Sequence, residues 1–561
     1  MSARNLRAVL AADAELGAGN VLLRLAEHGA DPEMPRVTFD TEVDGIAAWT
    51  PLSLRQLTER AAARAGWFAR HGIGRSDPVA VYVTSAADVI LNYFALTWLG
   101  AIPALVNGNM PTEIAVEFIR RLRSAGVLID SDHAHLAGHD LGAPIIGDAA
   151  QTGTGDPAAA PAHYRHHPDD PVAITHSSGT TRMPAAVVHS HHSLFAAVRA
   201  VRLTEPRQTG PVREMSVFPQ AHTAGLIIVN EALCNGYELL CLSGQGMAGA
   251  GGSRHSGAFA SSGEVIIDAI ERWRPTAVFG FAITWSELAR FDLSQRDVSS
   301  VRIWANSGDT AHEAHVRRLV AAGSHHVYTR DGIVSQPGSR FNDSLGSTEM
   351  GYGGFQITHT HESERYDRCV GKPVPFAEII LIDPQTGQEV PDGEVGMVAM
   401  KAPSLALGYW NDSATTFRTR RNGYYLTGDL MYRDDEGYFY HLDRASDAVD
   451  LGNGKRLYSV LSEERILKRC RDVRDCTVLA ARAEDGTLVA EVLLLIAAGA
   501  DPALDREAEV RAALGDAFAS VPVQIATIPD DGVVVGPTGK VRKFLMRQQL
   551  VAAAGAREGS S

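Results

Sequence analysis

Short apolar runs alternate with helix-like segments through the first four hundred residues of this chain. The run PVAVYV at 78–83 follows an alanine-rich segment, and TAVFGF at 276–281 follows the amphipathic segment VIIDAIERW. Apolar runs of this length are typical of strands that are buried on both faces of a parallel sheet. The alternation therefore predicts an α/β fold in which mostly parallel sheets are stacked with flanking helices.

A chain of 561 residues is longer than one hydrophobic core usually supports, so we expect at least two domains. The best boundary is the segment HLDRASD at 441–447, which directly follows the strand-like GYFYH. We predict a large N-terminal domain over residues 1–442, a hinge over 443–447 and a C-terminal domain over 448–561. The last part has apolar segments of its own, such as CTVLAAR and LVAEVLLLI, and is predicted to be a small mobile α+β lid.

The composition excludes several classes of protein. Apolar residues make up 45% of the chain and charged residues 21%, which is the balance of a soluble globular enzyme. The net charge of -14 argues against a nucleic acid or an anionic membrane as partner. Five irregularly spaced cysteines argue against a disulfide framework, and the N-terminus lacks the apolar core of a signal peptide, so we expect a cytoplasmic protein.

The segment 89–106 is apolar enough to suggest a membrane span. It is interrupted by Asn92, Thr97, Gly100 and Pro103. We therefore predict a buried helix that runs into a buried strand.

Three segments rich in glycine, proline and small polar residues are predicted to be loops. They cover residues 142–170, 243–263 and 341–354. The first is expected to lead into a glycine-rich turn, and the third to line a site.

Three separated segments carry distinctive chemistry. Ser177-Ser178-Gly179-Thr180-Thr181 is a hydroxyl- and glycine-rich turn, which can wrap N–H and hydroxyl groups around phosphate oxygens. Thr427-Gly428-Asp429 offers a carboxylate that can accept both hydroxyl protons of a ribose. Gly536-Pro537-Thr538-Gly539-Lys540 offers a lysine that can neutralise charge where a carboxyl group and a phosphate react. Together these segments indicate ATP-dependent adenylation.

Read in this order, the segments resemble the superfamily of acyl-CoA synthetases, luciferases and peptide-synthetase adenylation domains. The resemblance extends from about Trp49 to Lys543. It implies an AMP-forming ligase of secondary metabolism that uses ATP and Mg²⁺. A small acid, such as an aryl acid, would attack the α-phosphorus of ATP, and the resulting AMP anhydride would be transferred to an acceptor.

The resemblance implies that the turn binds the phosphates of ATP. The matching residues are Ser177, Ser178, Gly179, Thr180, Thr181 and Arg182. The family has a lysine where this chain has Ala185 and a glycine where it has Arg182. Arg182 is the candidate replacement cation, because a guanidinium binds phosphate through two parallel hydrogen bonds.

Two further segments resemble walls of the family's site. His222, in PQAHTAG, would position the substrate or gate its channel. Ser307, Gly308 and Asp309 match the turn whose backbone faces adenine. The substrate pocket is expected around His222, Phe281, Trp304 and the 343–354 segment.

The segment Leu345-Gly346-Ser347-Thr348-Glu349 resembles the family's aromatic-Gly-x-Thr-Glu motif. Thr348 would contact the α-phosphate and Glu349 would hold Mg²⁺, which prefers oxygen ligands. Leu345 replaces the aromatic residue that stacks on adenine. The histidines of the chain lack the spacing of a zinc site, so we expect them to be scattered loop and helix residues and not zinc ligands.

The C-terminal motifs complete the implied site. Asp429 matches the ribose ligand and Arg444 a second ribose or phosphate ligand. Lys540 would bridge the carboxylate and the α-phosphate as the adenylate forms. Ser446 and Asp447 stand where the family has its hinge residue.

The acceptor is left open by the sequence. The segment 450–456 has an added residue and lacks a lysine of the family's thiolation face, which counts against CoA. A carrier-protein thiol or an amine are alternatives, and the protein is expected to be a monomer or a homodimer. In a second hypothesis the enzyme is a diazotase that adenylates nitrite and diazotises an arylamine. In a third, the chain is a degenerate nucleotide-binding module; Ala185 favours this, whereas Glu349, Asp429 and Lys540 oppose it.

Overall fold

Two large β-sheets with helices packed around them form most of the described chain. The structure is a computed structural model and describes residues 3–177, 183–205, 211–243, 263–329, 332–452, 455–482, 486–497, 499–518, 521–529 and 543–558. No helix in those ranges is both long and apolar enough to cross a membrane.

The strands are short and distributed along the whole chain. Strands β1 to β10 are Pro35–Phe39, Leu52–Ser53, Pro78–Val83, Ile102–Asn107, Gly126–Ile129, Ile145–Asp148, Pro171–His176, Ala186–Ser190, Arg213–Ser216 and Glu238–Cys241. Strands β11 to β20 are Ala277–Phe281, Ile303–Ser307, Ser324–Thr329, Gly332–Pro337, Arg340–Leu345, Phe355–His359, Cys369–Pro373, Glu378–Ile382, Gly396–Lys401 and Gly408–Tyr409. Strands β21 to β28 are Arg420–Arg421, Tyr424–Arg433, Phe439–Arg444, Val449–Gly452, Lys455–Leu457, Val473–Arg482, Leu488–Ile496 and Val523–Thr527.

The α-helices connect and cover these strands. Helices α1 to α7 are Ala3–Ala12, Val21–Glu27, Leu54–Arg70, Ala86–Trp98, Thr112–Leu122, Ala149–Thr152 and Thr223–Asn235. Helices α8 to α14 are Gly263–Trp273, Ala282–Leu288, Glu313–Ala321, Ser413–Arg418, Ser459–Arg469, Arg506–Leu514 and Lys543–Glu558.

The predicted α/β fold class is confirmed. Within the 14-stranded sheet, one part consists of parallel strands and another of antiparallel strands. The 7-stranded sheet has the order β20-β8-β7-β4-β3-β5-β6, and the 14-stranded sheet includes the parallel series β10, β9, β11, β12 and β15. From β15 onward the paired strands β15, β16, β17 and β23 are antiparallel. Parallel pairs need long crossovers, which the helices before β15 supply, whereas short connections suffice for antiparallel pairs.

The apolar segment 89–106 forms the predicted helix and strand. Helix α4 begins after Ser85, whose hydroxyl accepts a hydrogen bond from the Asp88 N–H, and eleven of its thirteen residues are buried. All six residues of β4 are buried as well. Burial on every face explains why the segment lacks polar periodicity.

The three loop predictions have different outcomes. The segment 142–170 contains β6 and α6, so it is not entirely a loop. Residues 341–345 belong to β15, because their alternating burial places every second side chain in the core. Of the segment 243–263, residues 244–262 lie outside the described residues.

The C-terminal part has a small α+β architecture with an apolar core. Strands β26, β27 and β28 form a 3-stranded sheet, against which α12 and α14 pack. The side chains of its core include Ile466, Val478, Val492 and Val510. This part is the smaller C-terminal domain of the predicted fold.

Candidate active site

A cavity of about 640 Å³ lies beside the carboxyl ends of β11, β12 and β15. In sheets with parallel strands, this edge is the usual place of a ligand site. Many of the predicted site residues line the cavity, namely Ser177, His222, Ser307, Gly308, Thr348, Glu349 and Arg444. Segments that are more than two hundred residues apart in the sequence therefore meet at one site.

The turn after β12 is positioned by its neighbour β15. Gly308 has a φ of 91°, a left-handed conformation that favours glycine. Its carbonyl oxygen accepts a hydrogen bond of 2.9 Å from the Gly346 N–H. Ser307 and Gly308 therefore present their backbone at the cavity wall.

Asn306 holds this turn from behind. Its side-chain nitrogen donates to the Asp309 carbonyl oxygen and to Asp343 Oδ1, both at 2.6 Å, and its side-chain oxygen accepts from Trp285 Nε1 at 2.8 Å. Burial raises the pKa of Asp343 to about 7, although the hydrogen bond from Asn306 opposes the increase. Asp309 thus contributes a backbone contact to the turn, and the sequence analysis missed Asn306 and Asp343.

Leu345 is not part of the cavity wall. It is 3% exposed and packs in an apolar cluster with Met350 and Phe355. Ser344 and Gly346 on either side of it line the cavity, as the alternation of a strand requires.

Thr348 and His222 are brought together, although 126 residues separate them. The Thr348 Oγ1 lies 3.3 Å from His222 Nε2. The other ring nitrogen, Nδ1, accepts a hydrogen bond of 3.1 Å from the Ala224 N–H and thereby caps helix α7. In the neutral ring the proton is then on Nε2, which donates it to Thr348.

Glu349 is held by a tyrosine that the sequence analysis missed. Tyr409 Oη donates a hydrogen bond of 3.1 Å to Glu349 Oε1. Tyr409 lies on β20, where it pairs with Val187 of β8, the strand that follows the predicted phosphate-binding turn. Burial, with a contribution from the Glu349 charge, raises the pKa of Tyr409, so the phenol stays a hydrogen-bond donor.

Asp429 and Arg444 face each other on the paired strands β22 and β23. Arg444 Nε lies 2.9 Å from Asp429 Oδ1, and Arg444 Nη1 donates to the Thr427 carbonyl oxygen at 3.2 Å. Burial acts to raise the pKa of Asp429, but the Arg444 charge together with interactions from His441 and Thr427 outweighs burial, and the pKa is lowered. The carboxylate is therefore ionised, as a ribose ligand requires.

Several predicted residues lie outside the described residues. They are Ser178, Gly179, Thr180, Thr181, Arg182 and Lys540. Ser177 is described: its N–H donates to the Ala185 carbonyl oxygen and its Oγ accepts from the Ala185 N–H, both at 2.9 Å. The two ends of the turn are thus joined at the cavity.

Beyond His222 the cavity continues as a slot between helix α7 and the sheet. Ala224, Ile227 and Glu231 share the helix face that lines it. The opposite wall is formed by alternate residues of two strands, namely Ala277, Phe279 and Phe281 of β11 and Ile303, Ala305 and Ser307 of β12. Phe281 is at the predicted wall, but Trp304 is not: it faces the other side of β12, where its Nε1 donates to the Leu319 carbonyl oxygen.

The slot ends at a group of charged side chains that we call the distal pocket. Its residues are Arg202, Glu214 and Glu231, and all three line the cavity. Arg202 Nε lies 3.0 Å from Glu231 Oε1. Burial, together with the charge of the other glutamate, raises the pKa of Glu214 well above its ordinary value. Burial also raises the pKa of Glu231, against the opposing effect of Arg202.

The distal pocket was not predicted from the sequence, although the sequence contains a signal for it. Glu231 interrupts the apolar run LIIVNEALC, and Glu214 begins the buried run EMSVF. A charged residue within an apolar element is almost never fully buried without a partner.

Magnesium is compatible with the site through a single carboxylate. Among the described residues no group of three or more His, Cys, Asp or Glu side chains is arranged to hold a metal ion. Magnesium is commonly bound by one or two carboxylates together with substrate phosphates and water, and Glu349 at the cavity wall offers one.

Comparisons with known proteins identify the family of this chain. The family model described as AMP-binding enzyme matches residues 30–410. A 3-aminoavenalumate diazotase from a Streptomyces species is 40% identical over 98% of this chain and 98% of its own length.

Two solved structures share the fold. The anthranilate CoA ligase AuaEII in complex with anthranoyl-AMP has a TM-score of 0.79 and 17% identity, covering 99% of this chain and 100% of the other. The Bacillus subtilis O-succinylbenzoate CoA synthetase in complex with ATP and magnesium has a TM-score of 0.73 and 19% identity, covering 95% and 99%. At these identities the likeness concerns the fold alone.

Proposed function

The chain belongs to the AMP-binding enzyme family, and from that membership we propose that it is an ATP-dependent diazotase. It would adenylate nitrite and transfer the nitroso group to the amine of an aminoaryl carboxylic acid. The observation that carries this proposal is the 40% identity with a diazotase along 98% of both chains. That relative's substrate, as named, bears both an amine and a carboxylate.

The site residues supply a place for ATP. Asp429, ionised beside Arg444, would accept the ribose hydroxyls, and the turn at Ser307 and Gly308 would face the adenine. The Thr348 hydroxyl would donate a hydrogen bond to the α-phosphate and accept one from His222 Nε2. Magnesium, when bound, would neutralise phosphate charge beside Glu349.

The reaction balances in two steps. A nitrite oxygen attacks the α-phosphorus of ATP and pyrophosphate leaves, which gives nitrosyl-AMP. The arylamine nitrogen then attacks the nitroso nitrogen, the N–O bond to AMP breaks, and the amine loses a proton. The N-nitrosamine tautomerises, takes up a proton and loses water to give the diazonium ion. In sum, ArNH₂ + NO₂⁻ + ATP gives ArN₂⁺ + AMP + pyrophosphate + H₂O.

The C-terminal part would act as a lid with its hinge at residues 443–447. Lys540 on this lid would stabilise the charge that develops as pyrophosphate leaves. Arg547 of α14 forms an ion pair with Asp447 and donates to the Ser446 carbonyl oxygen at 3.3 Å, so the hinge contacts the last helix. Five buried free thiols suit a reducing compartment, and we place the enzyme in the cytoplasm.

A second candidate function is aryl-acid ligation to CoA or to a carrier-protein thiol. The fold shared with the anthranilate CoA ligase favours it. In that reaction a carboxylate, and not an amine, would occupy the reactive end of the slot.

The experiment supplies ATP and magnesium with nitrite, with 4-aminocinnamic acid, or with both. We expect AMP release that requires nitrite and an azo dye after coupling that requires both reactants. A parallel reaction replaces nitrite by CoA. Thioester formation from the acid without nitrite, and no azo dye, would reject the diazotase in favour of the ligase.

A further inference from the structure

The slot has a reactive end and a distal end at a fixed separation. Its reactive end is marked by His222 and Ser307, and its distal end by Glu231 and Ile303. Nine residues of helix from 222 to 231 span about 13 Å at 1.5 Å per residue. Four strand residues from 303 to 307 span about 13 Å at 3.3 Å per residue. The helix wall and the strand wall of the slot therefore have the same length, about 13 Å.

The middle of the slot is apolar. Ile227 of α7 faces Phe279 of β11 and Ala305 of β12 across it. Side chains of this kind suit a flat aromatic ring, which gains by leaving water and by edge or face contacts with phenylalanine. An aromatic ring with a short side chain would thus have its two substituents at opposite ends.

The distal pocket has unused hydrogen-bonding capacity. Glu214 and Glu231 are each 3% exposed. Glu214 Oε2 and Glu231 Oε2 have no hydrogen-bond partner among the described residues. The two carboxyl groups come from different elements, since β9 carries Glu214 in register with Ala277 and α7 carries Glu231.

The charges of the distal pocket favour an anion. The Arg202 guanidinium is always protonated. Arg7 Nη2 donates a hydrogen bond of 2.7 Å to the Arg202 carbonyl oxygen and thereby holds the Arg202 backbone in place. Burial favours the protonated form of the two glutamates, so the remaining carboxylate beside the guanidinium is Glu205, whose Oε2 lies 3.3 Å from Arg202 Nη1 and whose side chain is 46% exposed. Water screens an ion pair of this exposure, so the guanidinium charge is only partly balanced. A ligand carboxylate would supply the missing charge and accept hydrogen bonds from Arg202 and from a protonated carboxyl group.

We propose that Arg202, Glu214 and Glu231 bind the carboxylate of the aminoaryl carboxylic acid and thereby direct its amine to the nucleotide. The inference rests on the proposed function, since it assigns the two ends of that substrate. It also explains how one slot would select diazotisation over adenylation of the substrate's own acid: the acid is held at the end of the slot that is about 13 Å along α7 from His222.

The first test compares 4-aminocinnamic acid with 4-aminocinnamamide, which has the same length but no charge. We expect the wild-type kcat/KM for diazotisation to favour the acid by about 10- to 100-fold, the range for a hydrogen bond to a charged group. Arg202→Met should remove this preference by lowering kcat/KM for the acid alone. Nitrite-dependent exchange of pyrophosphate into ATP should be unchanged, because that half-reaction takes place at the other end of the slot.

The matched control is Arg213→Met. Arg213 precedes Glu214 on β9 but pairs with Glu238 and does not line the cavity, so it should leave the preference intact. If Arg202→Met does not fold, the proposal is still tested by Arg202→Gln and by the comparison of the acid with the amide in the wild-type protein. Equal kcat/KM for the acid and the amide in the wild type would overturn the proposal.

A binding measurement separates this inference from the proposed function. The acid and the amide are titrated by calorimetry into wild-type protein that holds AMP. Tighter binding of the acid that Arg202→Met abolishes, without any azo product, would support the distal pocket and reject the diazotase. Equal binding of the acid and the amide, together with formation of an azo product, would reject the distal pocket and support the diazotase.

Discussion

At the scale of single residues, the contact between Thr348 and His222 would link the proposed α-phosphate position to the slot. Thr348→Val removes the hydroxyl at nearly constant shape. His222→Asn removes Nε2 but keeps an acceptor for the Ala224 N–H at the start of α7. We expect each change to lower kcat/KM for AMP formation by about 10- to 100-fold, since each deletes a hydrogen bond at the reacting phosphate.

The double variant tests whether the two residues act as one unit. Because their side chains lie 3.3 Å apart, we expect the double variant to lose little more than either single variant. Losses that multiply in the double variant would mean that the two side chains act independently.

Asp429 permits a prediction with a defined dependence on pH. Its lowered pKa means that the pair with Arg444 stabilises the fold above the ordinary value of 3.8 and is lost as the pH falls through the lower folded value. Asp429→Asn should weaken AMP binding by about 10-fold and cost about 1–2 kcal/mol, a moderate value because the Arg444 side chain is 34% exposed. Calorimetry with adenosine, which has the ribose but no phosphate that titrates near pH 6, should find the wild-type affinity flat from pH 5 to 9. An adenosine affinity that follows a titration in this range would contradict the ionised carboxylate.

At the scale of elements, helix α7 is positioned by the absence of a side chain at Gly225. A Cβ there would lie 2.7 Å from the Pro219 carbonyl oxygen and 2.8 Å from Gln220 Cα, which are both backbone atoms. Gly225→Ala should therefore displace the start of α7, which carries His222, and lower the rate of nitrite-dependent pyrophosphate exchange by at least about 10-fold.

The other end of the same helix provides the control. Gly236 has a φ of 71° at the helix C-terminus, so Gly236→Ala should lower stability by about 1 kcal/mol. Since this end is far from the nucleotide, pyrophosphate exchange should continue in the folded protein. Equal loss of exchange in the two variants would show that helix stability, and not the position of His222, limits the reaction.

Elements that are buried on all faces could be predicted from the sequence, because their patterns are local. The strand at 78–83 and the helix and strand within 89–106 are found where the apolar runs indicate them. The side of β12 that faces the slot could not be predicted, since Trp304 and Ala305 are both apolar and only tertiary packing decides between them. The proximity of Glu214 and Glu231 could not be predicted either, because it depends on the packing of β9 against α7.

At the scale of the whole molecule, the C-terminal part is docked on the larger part through a buried ion pair. His312 Nδ1 lies 2.6 Å from Glu464 Oε2, and Glu464 Oε1 accepts from the Glu313 N–H at 3.0 Å. Burial acts to lower the pKa of His312, but Glu464 outweighs it and the pKa is raised above 6.5. Burial acts to raise the pKa of Glu464, but His312 outweighs it and the pKa is lowered to about 2.

These directions fix the pH range in which docking is strongest. The Glu464 contribution is complete above its ordinary value of 4.5, and the His312 contribution is complete below 6.5 and lost as the pH rises through the raised value. His312→Asn should therefore cost about 1.5–3 kcal/mol between these two values, and the difference from wild type should shrink toward pH 9. Thermal unfolding of the wild type and of His312→Asn across this pH range measures the difference in stability.

The surface pair between Lys468 and Asp367 at the same interface is the control for this prediction. Its nitrogen and oxygen lie 2.8 Å apart, but the side chains are 51% and 69% exposed. Asp367→Asn leaves the 3.4 Å contact between Lys468 and Glu313 in place. It should cost less than about 1 kcal/mol and show no dependence on pH between 5 and 9, because water screens an exposed pair. If His312→Asn gave the same flat profile, the histidine would be neutral in the docked state, and the position of the C-terminal part would not respond to pH through this contact.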